Sequence, residues 1–181
     1  LALALTSLLV RGGERVALLG AEGGPVTGRA ALRRMAAHLT SAEVPAAPLP
    51  PDQPLPAHAR LVLIGDLLSP AEEITNRMTA WRAAGVRGHL VQVLDPAEED
   101  LPFRGRTLFE GIEEKINFLA GRAENLRTEY RARLEAHRAA LREAARRLGW
   151  TFHAHRTDRP PQTALLALFL ALSGEDGYAA R

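Results

Sequence analysis

The hydrophobic residues of this chain are concentrated in short, largely apolar runs that are bounded by glycine or polar residues. Runs of this length are typical of strands buried on both faces, as in a parallel sheet covered by helices. They predict strands at residues 14–20, 60–66, 88–94 and 150–156. The apolar stretch at residues 1–10 is compatible with either a strand or a helix.

Between the predicted strands, apolar residues recur every three or four positions, which is the spacing of one face of a helix. This pattern predicts helices at residues 29–39, 70–84, 122–148 and 162–172. Two segments also have the residue order of a capping box with a proline at the first helical position, namely Ser69-Pro70-Ala71-Glu72 and Asp95-Pro96-Ala97-Glu98. Strands alternating with helices predict a three-layer α/β domain, with a mostly parallel sheet and helices on both faces.

The length of 181 residues predicts a single domain, residues 1–181, with one buried core. Six of the 12 prolines lie between Pro45 and Pro56. Because proline cannot donate to a central strand or continue a helix, residues 44–57 are predicted to form an extended surface connection. A small hairpin is predicted within residues 103–120.

The composition excludes several kinds of chemistry. The chain has no cysteine, which rules out disulfides, thiolate zinc sites, iron–sulfur clusters and a cysteine nucleophile. Lys115 is the only lysine, and it does not follow a glycine-rich turn, so a Walker A phosphate loop is excluded. No serine lies in a Gly-x-Ser-x-Gly elbow. The lack of cysteine fits a reducing compartment, and we expect a cytoplasmic protein.

The first ten residues are too short to span a bilayer, which takes about 20 apolar residues. They also lack the basic segment that precedes the apolar part of a secretion signal. We therefore expect no membrane span in this segment. Because the chain begins with a leucine, we expect it to start inside a larger protein.

In open α/β sheets, ligands bind beyond the carboxyl ends of the strands. Polar residues follow the predicted strands at these positions. These residues are Asp66 and Ser69, Asp95, and Thr157 with Asp158. Their oxygens are of the kind that magnesium prefers. Helix capping accounts for Ser69 and Asp95, whereas no predicted helix needs Asp66.

Two alternative functions follow from other residues. His153 and His155 are two positions apart in a predicted strand, so both point to the same face, and Asp158 is close by in the sequence. Two histidines and a carboxylate are ligands of the kind found in zinc- or iron-dependent hydrolases. The predicted helix at residues 122–148 contains eight arginines, and a basic helix binds phosphate backbones. Four glutamates interleave with those arginines, which favours a solvated, ion-paired face, and we expect no nucleic-acid partner.

Several strings in the chain together resemble a known family. They are residues 60–66, 85–99, 101–106, 109–111, 130–137, 149–150, 156–158 and 164–168, with Pro161. The family is a bacterial group of von Willebrand factor A-like proteins, domain-of-unknown-function family fifty-eight. Its members are commonly encoded beside MoxR-type AAA+ ATPases.

The resemblance implies a six-stranded, mostly parallel sheet with a metal-ion-dependent adhesion site at its carboxyl edge. In such modules the metal is held by an Asp-x-Ser-x-Ser loop after the first strand, a threonine and a further aspartate. Asp66 matches that aspartate, and Thr27 is a weaker match for the threonine. The Asp-x-Ser-x-Ser loop is absent. The resemblance thus implies a domain lacking its first strand and metal-site loop, with no cofactor in this segment and magnesium in the full-length protein.

The expected function is protein–protein contact rather than catalysis, with a MoxR-type AAA+ ATPase as the partner. The expected docking face contains Asp66, Leu67, Leu68 and Asp95. In the strand order that the resemblance implies, the missing first strand lies between residues 14–20 and residues 60–66.

Overall fold

The computed structural model describes residues 1–41, 49–103, 107–110, 117–120 and 123–174. The helices are α1 (Ala2–Arg11), α2 (Gly28–Leu39), α3 (Ala71–Ala83), α4 (Pro96–Asp100), α5 (Ala123–Leu148) and α6 (Pro161–Gly174). The strands are β1 (Arg60–Gly65), β2 (Arg87–Leu94), β3 (Thr107–Glu110), β4 (Asn117–Ala120) and β5 (Thr151–Arg156).

The described residues form one three-stranded sheet in the order β1-β2-β5, and both pairings are parallel. Leu63 of β1 lies opposite Leu90 of β2, which lies opposite Phe152 of β5. The prediction that residues 60–66 and 88–94 form adjacent strands is therefore confirmed. Strands β3 and β4 pair antiparallel within the segment where a hairpin is predicted.

One face of the sheet is covered by α3 and α5. Leu61, Leu63 and Leu90 point to this side and pack with Met78 of α3 and Leu141 of α5. All five side chains are buried. Because side chains alternate along a strand, the neighbouring residues of β1 and β2 must point to the other face.

That second face is covered by α1 and α6. Leu5 of α1, Val91 of β2 and Leu168 of α6 form its buried cluster, with Val62 and Ile64 of β1 packed against it. The ambiguous stretch at residues 1–10 is thus a helix. The predicted arrangement of a parallel sheet between two helix layers is confirmed for β1, β2 and β5.

The prediction of a strand at residues 14–20 is wrong. Within this segment only Val16 pairs with another chain segment, through an isolated antiparallel bridge to Val26, and it joins neither β1 nor β2. Gly20 and Gly23 have positive φ angles, which glycine adopts readily. The chain turns back at these glycines before any longer ladder forms.

The capping box predicted at Ser69 is also wrong. Helix α3 begins at Ala71, its N-cap residue is Pro70, and it has no side-chain cap hydrogen bond. Because Pro70 is the N-cap residue, Ser69 lies one position before it, outside the position from which a side chain caps the first turn.

Candidate functional site

The three parallel strands β1, β2 and β5 end on one edge of the sheet, because parallel strands share their direction. The residues that follow are Asp66 after β1, Asp95 after β2, and Thr157 with Asp158 after β5. We call this side of the sheet the carboxyl edge. The polar residues that the sequence predicts at the carboxyl ends of the strands therefore all lie on the carboxyl edge.

Asp95 joins the loops that follow β2 and β5. Its Oδ1 accepts a hydrogen bond from the Ala97 backbone N–H at 2.8 Å, and its Oδ2 accepts one from the Thr157 hydroxyl at 2.8 Å. Glu98 Oε2 accepts from the Asp95 backbone N–H, which completes the predicted capping box on α4. The hydrogen bond from Ala97, followed by that from Thr157, holds the pKa of Asp95 below its usual value.

A lowered pKa predicts how this link responds to acid. A carboxyl group whose pKa is depressed by folding stabilises the fold above its unfolded pKa of about 3.9, and this contribution disappears as the pH falls through the folded pKa. The wild type should therefore be more stable than Asp95→Asn at neutral pH, and the difference should shrink below about pH 4. Denaturant unfolding at several pH values measures it. A pH-independent difference would contradict the assigned role of the carboxylate charge.

Arg138 of α5 lies under the carboxyl edge and is only 7% exposed. Its Nε donates to Gln92 Oε1 at 2.7 Å, and its Nη1 donates to Glu99 Oε1 at 2.6 Å. Gln92, which is fully buried in β2, uses its Nε2 to donate to the backbone carbonyl of Asp66 at 2.9 Å. This buried network, Gln92–Arg138–Glu99, connects the loop after β1 with α4.

The loop at residues 66–68 is held in a sparsely populated conformation. Leu67 has a φ angle of 50°, in the left-handed region that costs a leucine about 1–2 kcal/mol. The ring of His137 binds the Leu67 carbonyl, with Nε2 and the oxygen 2.7 Å apart. The Leu68 N–H donates to Asp66 Oδ1 at 3.3 Å, and the Leu68 side chain remains 45% exposed.

Helix α4 is tied to α5 and to β5 by ion pairs. Asp100 lies 2.8 Å from Arg131 of α5 and 3.1 Å from Arg156 of β5. Leu101, directly after α4, also has a positive φ angle, and its carbonyl accepts from Arg127 Nε at 3.0 Å. Side chains of α5 therefore hold both leucines that adopt this conformation at the carboxyl edge.

Thr27 and Asp66 occupy different parts of the fold. Thr27 is the N-cap residue of α2, which packs against α1, whereas Asp66 follows β1. In the described part of the chain no hydrogen bond joins the two residues. The same part of the chain contains no group of three or more His, Cys, Asp or Glu side chains placed to hold one metal ion.

His153 and His155 share the face of the sheet that α6 covers, since they lie opposite Val91 and Val93 of β2. Burial, and then the neighbouring His155, lower the pKa of His153. Asp158 is engaged elsewhere, because both of its oxygens accept hydrogen bonds from Arg156 at 3.2 Å.

The arginines of α5 divide into two sets. Arg133, Arg142 and Arg146 lie on its solvent side and pair with glutamates of the same helix at 2.6–2.8 Å. These pairs confirm the predicted ion-paired face. The second set binds residues at or beneath the carboxyl edge, and consists of Arg127, Arg131 and Arg138.

The sequence analysis did not predict that four further residues hold the carboxyl edge together, namely Gln92, Glu99, Arg138 and Arg156. One signal for Gln92 was present, because it is the single amide side chain within the apolar run of β2, where a buried polar group requires a partner. No comparable signal distinguished Arg138 from the other arginines of α5.

Comparison with known families identifies the chain more closely. The family described as "Protein of unknown function DUF58" matches residues 1–140, which is more than half of the chain. The chain belongs to this family. Within the DUF58 match lie α1 to α4, β1, β2 and the part of α5 that contributes His137 and Arg138. No curated protein and no solved structure matches the chain.

One further property concerns membranes. Among the residues that the structure describes, no helix combines the length and the apolar character needed to cross a bilayer.

Proposed function

We propose that this DUF58 chain is a von Willebrand factor A-like interaction module that docks a partner protein on its carboxyl edge. The docking face consists of Asp66, Leu67, Leu68 and Asp95. The observation that supports it most is the fixed geometry of the loop at residues 66–68. Strained backbone conformations persist only where their surroundings hold them, and they concentrate at functional sites.

The hydrogen bonds beneath the loop explain how it suits docking. Gln92 and His137 hold the carbonyls of Asp66 and Leu67, so the loop has little freedom left to lose when a partner binds. A preorganised surface binds more tightly because it avoids that ordering cost. The loop also leaves the apolar side chain of Leu68 exposed next to the carboxylate of Asp66.

The partner that we propose is a MoxR-type AAA+ ATPase, acting with this module in the assembly or maturation of other proteins. In the full-length protein, Asp66 would be one ligand of a magnesium ion, and a carboxylate from the partner would complete the coordination. This role suits Asp66 because its side chain lies on an exposed loop and binds only the Leu68 N–H among the described residues.

Asp66→Asn tests the proposed role of magnesium. Asparagine retains an oxygen that can accept from the Leu68 N–H, but it removes the charge that a magnesium ion needs. We expect full-length Asp66→Asn to bind the ATPase roughly tenfold more weakly than the wild type in magnesium, and the two to bind equally in its absence. Calorimetry of both proteins with and without magnesium measures this. Equal affinity under both conditions would rule out the metal-assisted contact.

Substitution of two exposed leucines, one inside and one outside the proposed docking face, tests the face itself. Leu68 is 45% exposed at the carboxyl edge, and Leu39 is 51% exposed at the end of α2. Leu68→Ser should weaken binding to the ATPase, whereas Leu39→Ser should not. Equal effects of the two substitutions would remove the case for this edge.

A further inference from the structure

Residues 49–58 cross the opposite side of the domain, near the point where the strands begin. We call this segment the strap. It contains four prolines, at positions 50, 51, 54 and 56, which favour a stiff extended chain. It leads directly into β1, and its leucines Leu49 and Leu55 pack against the core cluster that includes Trp81 and Trp150.

The strap is attached by side chains alone. In the described part of the chain, no backbone–backbone hydrogen bond joins residues 49–58 to another element. Its polar side-chain contacts with other described segments include an ion pair between Asp52 and Arg77 at 2.9 Å and a hydrogen bond from the Gly20 N–H to Gln53 Oε1 at 3.1 Å. Asp52 is 83% exposed, so water screens its ion pair and weakens it.

The core cluster against which the strap packs is aromatic, and a cationic side chain lies beside it. Trp81 and Trp150 stack with their ring centroids 6.3 Å apart, and the guanidinium of Arg77 lies 6.0 Å from the Trp81 ring centroid. Both indole N–H groups are buried, and neither has a hydrogen-bond acceptor among the residues that the structure describes. A buried donor without a partner makes the closed state less favourable, and opening would let these groups bind water or a ligand carbonyl.

We propose that the strap is a releasable cover, and that the surface under it binds an extended, proline-rich, acidic segment of another chain when the strap opens. The strap itself shows which chemistry this surface accepts. Aromatic surfaces bind proline-rich segments because the stiff chain has little entropy to lose. An acidic residue in the incoming segment would replace Asp52 at Arg77. This site is separate from the carboxyl edge and does not depend on the function proposed there.

Hydrogen exchange of the intact chain tests whether the strap opens by itself. The Gly20 amide reports on the strap through its bond to Gln53, and the amides of β2 report on the whole domain. In the wild type we expect the Gly20 amide to exchange at least tenfold faster than the β2 amides, with little dependence on denaturant. Equal rates and equal denaturant dependence would show that the strap opens only when the domain unfolds, which would overturn the proposal.

Two double variants test whether the contacts of the strap control this exchange rate. Asp52→Asn combined with Leu55→Ala removes an ion pair and an apolar contact of the strap, and should accelerate exchange of the Gly20 amide roughly tenfold. Glu14→Gln combined with Leu39→Ala removes an exposed charge and an exposed apolar side chain elsewhere, and should leave that rate unchanged. Equal acceleration by both double variants would contradict the role of the strap contacts.

A synthetic peptide with the sequence of residues 49–58 tests the proposed occupant. Trp81 and Trp150 are the only tryptophans, so their emission reports directly on this surface. The peptide should change the emission of the Asp52→Asn, Leu55→Ala variant saturably, and more weakly that of the wild type, whose own strap competes. A peptide with its four prolines replaced by alanine should bind roughly tenfold more weakly. Absence of saturable binding, or equal affinity of the two peptides, would overturn the proposed occupant.

Discussion

Replacing Gly88 with alanine is expected to lower the free energy of unfolding of this domain by roughly 3 kcal/mol. A Cβ atom at this position would lie 2.0 Å from Cε3 of Trp150. The indole cannot easily move away, because Trp150 is only 5% exposed and stacks on Trp81. The substitution therefore forces a shift of the ring or of β2. Urea unfolding followed by circular dichroism measures the change.

Gly65 provides the matched control, since it also lies in a strand of the same sheet. Apart from Gly65 and its two chain neighbours, no described heavy atom lies within 4 Å of the position that its Cβ would occupy. Gly65→Ala should therefore change the free energy of unfolding little, or raise it slightly because alanine restricts the unfolded chain more than glycine does. Similar losses for Gly65→Ala and Gly88→Ala would mean that contact with Trp150 does not explain the effect.

Arg138→Met is expected to destabilise the domain by about 3 kcal/mol. The substitution keeps most of the apolar stem but removes the guanidinium, which leaves Glu99 without its 2.6 Å partner and Gln92 Oε1 without its donor. The loss is large because the partly buried Glu99 then keeps only the longer ion pair with Arg156, and the buried Gln92 Oε1 has lost its donor. Urea unfolding measures it against the wild type.

Two further variants separate this explanation from a general loss of charge. Arg133→Met removes an arginine that is 79% exposed and pairs with Glu129 within α5, and should cost no more than about 0.5 kcal/mol. Adding Glu99→Gln to Arg138→Met should recover part of the loss, because the carboxylate that then keeps only its longer 3.7 Å ion pair with Arg156 becomes a neutral amide. If the double variant is no more stable than Arg138→Met, the lost pairing of Glu99 with Arg138 is not the cause.

Much of the fold was determined by local patterns in the sequence. The apolar runs of β1 and β2 predict buried parallel strands, and the structure places them side by side with helices on both faces. The capping box at Asp95 also forms as predicted. These features depend on residues close together in the chain. Hydrophobic spacing reports which positions are buried, and capping depends on a single turn.

The sequence also determined part of the candidate site. Asp66 and Asp95 lie on one edge because parallel strands end on the same side, so strand prediction was sufficient to place them. The error at residues 14–20 shows the limit of this reasoning. An apolar run indicates burial, but whether it joins a ladder depends on which strand is available to pair with it, and here Val16 meets only Val26.

Only the tertiary structure decided what holds the carboxyl edge in place. Arg138 contacts residues 46 and 39 positions earlier in the chain, and His137 contacts the Leu67 carbonyl across 70 positions. In the sequence, Arg138 resembles the other arginines of α5, although Arg133 lies in solvent and Arg138 is buried. The difference arises because α5 packs against α3, α4 and β5 with Arg138 facing Gln92 of β2, and such packing is a property of the assembled layers rather than of any local pattern.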